Sequence, residues 1–333
     1  MSTTKRIITV TGSTGCQGGS VARALARDGT FHVRAVTRDI TSAAAKELAK
    51  EPNLELVQAD YAKPETLAAA FKGAEAVFGL TNFFDPEVQK DQLLEVKQGA
   101  LMGDLCKELG VKVFIWSTSP SGLIRSGGQF DSPRLVENKY AVSQYLNYKN
   151  IVHVDLYVGT YMENWRRFNQ ITRAADGKLE LFQPVWNPDC KIGLVYLERD
   201  LGRIVIAILN NYETKPQLLK EPVYAVGGMW SPDDLAQEIR KQTGEKLRII
   251  HPPTWGNKWL DLTYTYYNEW GVFSDVKLPH SSNATLGLKL HTLAGYVAAD
   301  IVPHLKTLKA RDTSTDEIFN EKLTPHNLDA RKA

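Results

Sequence analysis

Short apolar runs alternate with longer amphipathic stretches along the first half of the chain. The runs Ile7 to Val10, Phe31 to Val36, Leu54 to Gln58, Ala76 to Leu80, Val113 to Trp116 and Val152 to Tyr157 predict strands. Between them, residues of helical period predict helices over Ser20 to Asp28, Ser42 to Lys50, Pro64 to Phe71, Gln89 to Gly110 and Val136 to Tyr148. Strand and helix in regular alternation predict a doubly wound parallel sheet with helices on both faces.

The rhythm breaks after residue 165. Residues 166–197 include a loop-like stretch, Phe182-Gln183-Pro184-Val185-Trp186-Asn187-Pro188-Asp189. A helix from Leu197 to Leu209 and a strand from Val223 to Gly227 read as a return to the sheet. Ser231-Pro232-Asp233-Asp234 then opens a helix, with a serine N-cap, proline at the first helical position and early acids. The aromatic-rich segment Trp255 to Phe273 follows. These features predict a dinucleotide-type domain of residues 1–165 with about 198–228. A smaller, discontinuous C-terminal α/β domain is expected from about 166–197 and 229–310, and a polar tail from 311–333.

The first turn carries the strongest chemical signal. Ile7-Ile8-Thr9-Val10 enters Thr11-Gly12-Ser13-Thr14-Gly15-Cys16-Gln17-Gly18, which opens directly into a helix. Strand, glycine loop and helix in that order place a pyrophosphate on the helix N-terminus, and this makes the sheet Rossmann-type. Gly12 serves the tight turn, Gly15 lets the backbone approach phosphates, and Gly18 lets the helix pack on the first strand.

Ligands of such sheets lie beyond the carboxyl ends of the strands. The second strand ends in Thr37-Arg38-Asp39. An arginine here suits a 2′-phosphate, so Arg38 favours NADP(H) over NAD(H); the competing reading is a solvated charge paired with Asp39. Asp60, beside Tyr61, is placed to accept from an adenine amino group. Thr81-Asn82-Phe83 ends the fourth strand near the nicotinamide half.

Composition adds limits. With 43% hydrophobic and 23% charged residues, the 333-residue chain can bury a sizeable core. A net charge of +2 gives no electrostatic reason to expect nucleic-acid or membrane binding. Cys16, Cys106 and Cys190 have no metal-ligand spacing and suggest no disulfide framework, so no metal is expected and a reducing compartment is. The first apolar run is too short for a signal peptide and no later one could span a bilayer. A cytoplasmic location is expected, with the nucleus left open.

A hydride-transfer enzyme on this fold needs a proton donor near the nicotinamide, often a Tyr-x-x-x-Lys pair. Tyr145-Leu-Asn-Tyr-Lys149 matches by spacing. Its helix runs back from the cofactor end, however, which puts Lys149 about 15 Å beyond Lys139 along the axis. Lys139 is the better-placed lysine, and Leu135 stands where its tyrosine would be. Ser117 and Thr118 offer hydroxyls at the end of the fifth strand.

The chain resembles the NmrA-like family, an atypical branch of the short-chain dehydrogenase superfamily. The resemblance rests on Gly12-Ser-Thr-Gly15-Cys-Gln-Gly18-Gly19-Ser20-Val21, Val33-Arg34-Ala35-Val36-Thr37-Arg38, Val77-Phe78-Gly79-Leu80-Thr81-Asn82-Phe83 and Glu95-Val96-Lys97-Gln98-Gly99. Asn138-Lys139-Tyr140 resembles the family's Phe-Asp-x-Lys helix start, although Phe130-Asp131-Ser132 is separated from the lysine. Tyr161-Met162-Glu163-Asn164 is similar to its Tyr-Phe-Glu-Asn turn. The resemblance implies NADP(H) on Gly12 to Gln17, with Arg38 at the 2′-phosphate and Asp60 and Tyr61 at the adenine. It puts Thr81, Asn82 and Phe83 along the middle, and Lys97, Lys139 and Tyr161 to Asn164 toward the nicotinamide. Lys139 is the catalytic candidate.

Three functions remain open at this stage. The first is an NADP-dependent oxidoreductase acting on a small metabolite, with the aromatic segment either lining its pocket or simply packing the core. The second is a catalytically silent NADP(H) redox sensor whose C-terminal domain or homodimer state regulates a protein partner. The third is a scaffold for partner binding alone.

Overall fold

A computed structural model describes residues 5–311. The expected tail lies, apart from Arg311, outside the described residues. Thirteen strands run in chain order: β1 (Arg6–Val10), β2 (Phe31–Thr37), β3 (Leu54–Gln58), β4 (Ala76–Gly79), β5 (Val113–Thr118), β6 (His153–Val158), β7 (Thr160–Tyr161), β8 (Ile171–Arg173), β9 (Leu179–Phe182), β10 (Ile192–Val195), β11 (Val223–Ala225), β12 (Gly228–Trp230) and β13 (Leu247–Ile250). Seven of them form a parallel sheet in the order β11-β6-β5-β4-β1-β2-β3. β5 is buried at every position, as a strand covered on both faces must be, whereas the edge strand β3 is only partly buried.

Helices cover both faces. Cys16–Asp28 and Leu197–Leu209 supply Val21, Leu25, Leu201 and Val205 to one apolar layer. Pro64–Phe71, Leu93–Glu108 and Arg134–Tyr148 supply Leu67, Met102 and Val142 to the other. Strand order reverses between β1 and β4, which register Ile8 against Ala76. That reversal opens a crevice above their carboxyl ends, where ligands of open α/β sheets bind.

The single helix expected over Gln89 to Gly110 is broken. Asp85 caps Pro86–Lys90, and the chain turns at Asp91 before Leu93–Glu108 begins. The carboxylate of Asp91 accepts the Leu93 amide at 3.1 Å, a local bond that competes with helix continuation.

Within residues 166–197 the stretch 183–189 is loop, as expected, and three short strands that the sequence does not mark flank it. Of these, β8 and β9 are paired antiparallel and joined by β13, while β10 pairs with β7 and β12. A third apolar cluster, with Trp165, Leu181, Trp186, Tyr266 and Tyr296, lies under these small sheets. No helix among the described residues is long and apolar enough to cross a membrane.

Candidate functional site

The glycine loop leaves the helix Cys16–Asp28 with an amino end suited to an anion. Its N-cap is Gly15, in extended conformation, and no side chain caps it. Backbone N–H groups at such an end retain no intrahelical partner, and the helix dipole favours negative charge there. Gly12 has φ +59°, a conformation that L side chains resist. A Cβ on Gly18 would lie 2.3 Å from the Gly12 carbonyl oxygen and 2.4 Å from that of Thr11. The residue types in the loop therefore fit a pyrophosphate cradle. Ser13 braces it from below, its hydroxyl donating to the Val10 carbonyl at 2.6 Å. Thr14 and Cys16 lie on the same turn, Cys16 as first residue of the helix.

Two polar groups gather at the carboxyl ends of β1, β4 and β5. In the first, Gln17 spans two hydroxyls. Ser117 Oγ donates to Gln17 Oε1 at 2.6 Å, and Gln17 Nε2 donates to the Tyr161 hydroxyl. Burial holds the Tyr161 hydroxyl well above the ordinary tyrosine range, so it keeps its proton at neutral pH.

The second group centres on Lys139, near the start of Arg134–Tyr148. Its ammonium donates to Glu95 Oε1 at 2.6 Å, to Thr81 Oγ1 at 2.9 Å and to the Thr81 carbonyl at 3.2 Å. Glu95 is fully buried at 0% exposure, and the Lys139 side chain is 19% exposed. Thr81 Oγ1 also donates to Glu95 Oε1 at 2.8 Å, and Asn138 Nδ2 donates to Oε2 at 3.1 Å. An ammonium has three N–H donors, and three acceptors surround this one. Trp116 Nε1 donates to the Lys139 carbonyl at 3.1 Å, which fixes the turn.

The residues expected at the adenosine end lie in the loops that follow the strands. Arg38 Nη1 lies 2.6 Å from Asp85 Oδ2, so the arginine pairs with Asp85 rather than with its neighbour Asp39. Asp60 Oδ1 accepts the Ala62 amide at 2.9 Å. The Tyr61 hydroxyl donates to the Leu80 carbonyl at 2.9 Å, and burial pushes it up to about 12. Asn82 Oδ1 accepts the Phe84 amide at 3.1 Å. Phe83 is buried and meets Trp259 edge-on, with centroids 5.4 Å apart.

The other sequence candidates have local surroundings of their own. Lys97 is exposed and pairs with Asp91 at 3.2 Å. Met162 is fully buried in the cluster beneath the small sheets. Glu163 caps Leu197–Leu209, accepting the amides of Leu197 at 3.2 Å and Glu198 at 2.8 Å. Its carboxyl is pushed up to about 7 by burial. Asn164 begins the short helix Asn164–Arg167. Tyr145 donates to Asp104 at 2.8 Å, and Lys149 closes the far end of its helix. Most of the aromatic segment packs as core: Tyr264, Tyr266, Tyr267, Trp270 and Phe273 join the cluster beneath the small sheets, and Tyr264 and Trp255 extend a stack from Trp165 and Trp186 with successive centroids 6.1, 5.7 and 5.5 Å apart.

Glu95 and Asp85 have no role in the reading by sequence alone. The signal for Glu95 was available. It heads a buried stripe with Gly99, Met102 and Cys106 on one helix face, and a carboxylate in an apolar stripe requires a partner.

Comparison with known proteins agrees with this architecture. A sequence model of the NmrA-like family matches residues 4–265. The chain is 36% identical over 268 residues to the NmrA-like family domain-containing oxidoreductase notA of Aspergillus sp. (strain MF297-2), covering 75% of this chain and 77% of that protein. The structure of the negative transcriptional regulator NmrA in complex with NADP superposes with a TM-score of 0.74 at 18% identity, covering 91% of this chain and 98% of that one. The NADPH-dependent quinone oxidoreductase of Escherichia coli, complexed with NADPH, gives 0.66 at 20% identity, covering 90% and 100%. The chain belongs to the NmrA-like family.

Proposed function

We propose that this protein is an NADP(H)-dependent oxidoreductase that reduces a small carbonyl-bearing metabolite. The observation that carries the reading is the protonated Tyr161 hydroxyl, linked through Gln17 of the glycine loop to Ser117 at the carboxyl end of β5. The names of NmrA-like oxidoreductases such as notA, and of the quinone oxidoreductase with a similar fold, support the same class.

Gly12 to Gly18 would hold the pyrophosphate, and Arg38 the 2′-phosphate. NADPH, when bound, supplies the hydride. The protein must orient the acceptor and deliver one proton to its oxygen. Because the donors of Lys139 are committed to Thr81 and Glu95, that amine anchors the nicotinamide end of the site. The proton comes from Tyr161, whose hydroxyl accepts from Gln17 and so keeps its own proton free to donate. Asp60 and Tyr61 close the adenine end, and Thr81, Asn82 and Phe83 line the passage between. Cytoplasmic action on a metabolite is part of this proposal.

A second reading is a silent NADP(H) sensor that regulates a protein partner, through its dimer state or otherwise. Leu135, in place of a tyrosine four residues before Lys139, favours it. NADPH consumption followed by absorbance against a panel of quinones and aldehydes separates the two. Turnover lost in Tyr161→Phe supports the reductase. No oxidation with any acceptor, alongside tight NADPH binding, would instead support the sensor.

A further inference from the structure

The loops after β2 and β4 are joined by a single ion pair between residues far apart in the chain. In the sheet β2 and β4 flank β1, so a bond between the loops that follow them bridges the two neighbours of β1. That bond is Arg38 Nη1 to Asp85 Oδ2, at 2.6 Å. Its two ends differ in freedom. Asp85 is only 15% exposed, and its other oxygen accepts the Glu87 amide at 3.0 Å to cap Pro86–Lys90. The Arg38 side chain is 67% exposed. The carboxylate is therefore the fixed partner and the guanidinium the movable one.

We infer that Asp85 sets the preference between dinucleotides by competing with the 2′-phosphate for Arg38. The inference rests on the assignment of Arg38 to the 2′-phosphate. An exposed ion pair holds weakly, whereas a phosphate monoester carries between one and two charges more than a hydroxyl and engages a guanidinium in bidentate fashion. The 2′-phosphate of NADP(H) draws Arg38 away and leaves Asp85 facing the new anion. NAD(H) has only a 2′-hydroxyl there and leaves the clasp closed. Binding of NADP(H) thus carries the cost of opening the clasp and of like-charge repulsion, and binding of NAD(H) carries neither.

Asp85→Asn tests this, because asparagine caps a helix as well as aspartate does and removes only the charge. Asp85→Ser, another good cap, serves as a second neutral variant. Calorimetric titrations of NADP⁺ and NAD⁺ into the full chain are expected to show NADP⁺ tightened about two- to fivefold in both variants, with NAD⁺ unchanged. In an Arg38→Ala background the same substitutions are expected to leave the NADP⁺/NAD⁺ ratio unchanged. An unchanged or lowered ratio in Asp85→Asn and Asp85→Ser, while Arg38→Ala still abolishes the preference for NADP⁺, overturns the clasp and spares the Arg38 assignment. A preference that survives Arg38→Ala overturns both.

Discussion

The Lys139 ammonium and the Glu95 carboxylate meet at 2.6 Å, and Glu95 has no solvent exposure at all. Two helices, Leu93–Glu108 and Arg134–Tyr148, are tied by this pair just above the sheet. A buried carboxylate that loses its cation is left charged in a medium that does not solvate it. Lys139→Met is therefore expected to cost about 3–5 kcal/mol in urea unfolding. The double variant Glu95→Gln/Lys139→Met should recover about 1–3 kcal/mol of that loss. Simple additivity of the two single changes would mean that the pair is not coupled.

Substitution of Tyr161 should separate turnover from cofactor binding. Tyr161→Phe removes the donated proton and one partner of Gln17 but leaves the glycine loop's backbone unchanged, so kcat should fall about 100-fold or more. NADP⁺ affinity should stay within about twofold, because the lost group acts on the substrate oxygen. Stopped-flow NADPH oxidation together with calorimetry reads both quantities. An equal loss of binding and turnover would assign Tyr161 to the cofactor instead.

Gly18 leaves no room for a methyl group, since two carbonyl oxygens stand within 2.4 Å of where it would go. Gly18→Ala must push the helix from the loop, at about 1–3 kcal/mol. It is expected to weaken NADP⁺ binding by at least about tenfold, since a loop shift of this kind misaligns the helix N–H groups that meet the pyrophosphate. Thermal unfolding with and without NADP⁺ checks both effects. A ligand-induced stabilisation equal to that of wild type would contradict the cradle.

Glu163 gives the fold a pH signature. Burial lifts its carboxyl to about 7, from 4.5 for the ordinary side chain. Between those values the folded protein holds a proton that the unfolded chain releases. The contribution is thus fully present below the lower value and is lost as pH rises through the upper one, by at most about 3 kcal/mol. Glu163→Gln stays neutral throughout and should flatten this part of the profile. Urea unfolding between about pH 5 and pH 8 measures it; parallel wild-type and variant profiles would rule the shift out.

Much of this could be read in the chain before any coordinates. The central sheet is legible because buried parallel strands are near-continuous apolar runs and the helices between them keep their period. Gly12 and Gly18 announce the first turn because Gly12 has φ +59° and a Cβ on Gly18 would strike two carbonyl oxygens. The three- and four-residue strands β8, β9 and β10 are too short to display a period, so the sequence does not mark them. The break at Asp91 depends on a side-chain bond that competes with the helix. Asp85 escapes notice because its partner lies 47 residues away, a relationship that only the sheet order creates.

Arg38 carries the assignment of the cofactor, so the most direct measurement is calorimetric titration of wild type and Arg38→Ala with NADP⁺, NADPH and NAD⁺. Wild type is expected to favour NADP⁺ and NADPH over NAD⁺. Arg38→Ala should cost NADP⁺ at least about tenfold, as loss of a charge-assisted guanidinium–phosphate contact does, and leave NAD⁺ nearly unchanged. Binding of none of the three, or equal binding of NADP⁺ and NAD⁺ by both proteins, would contradict it.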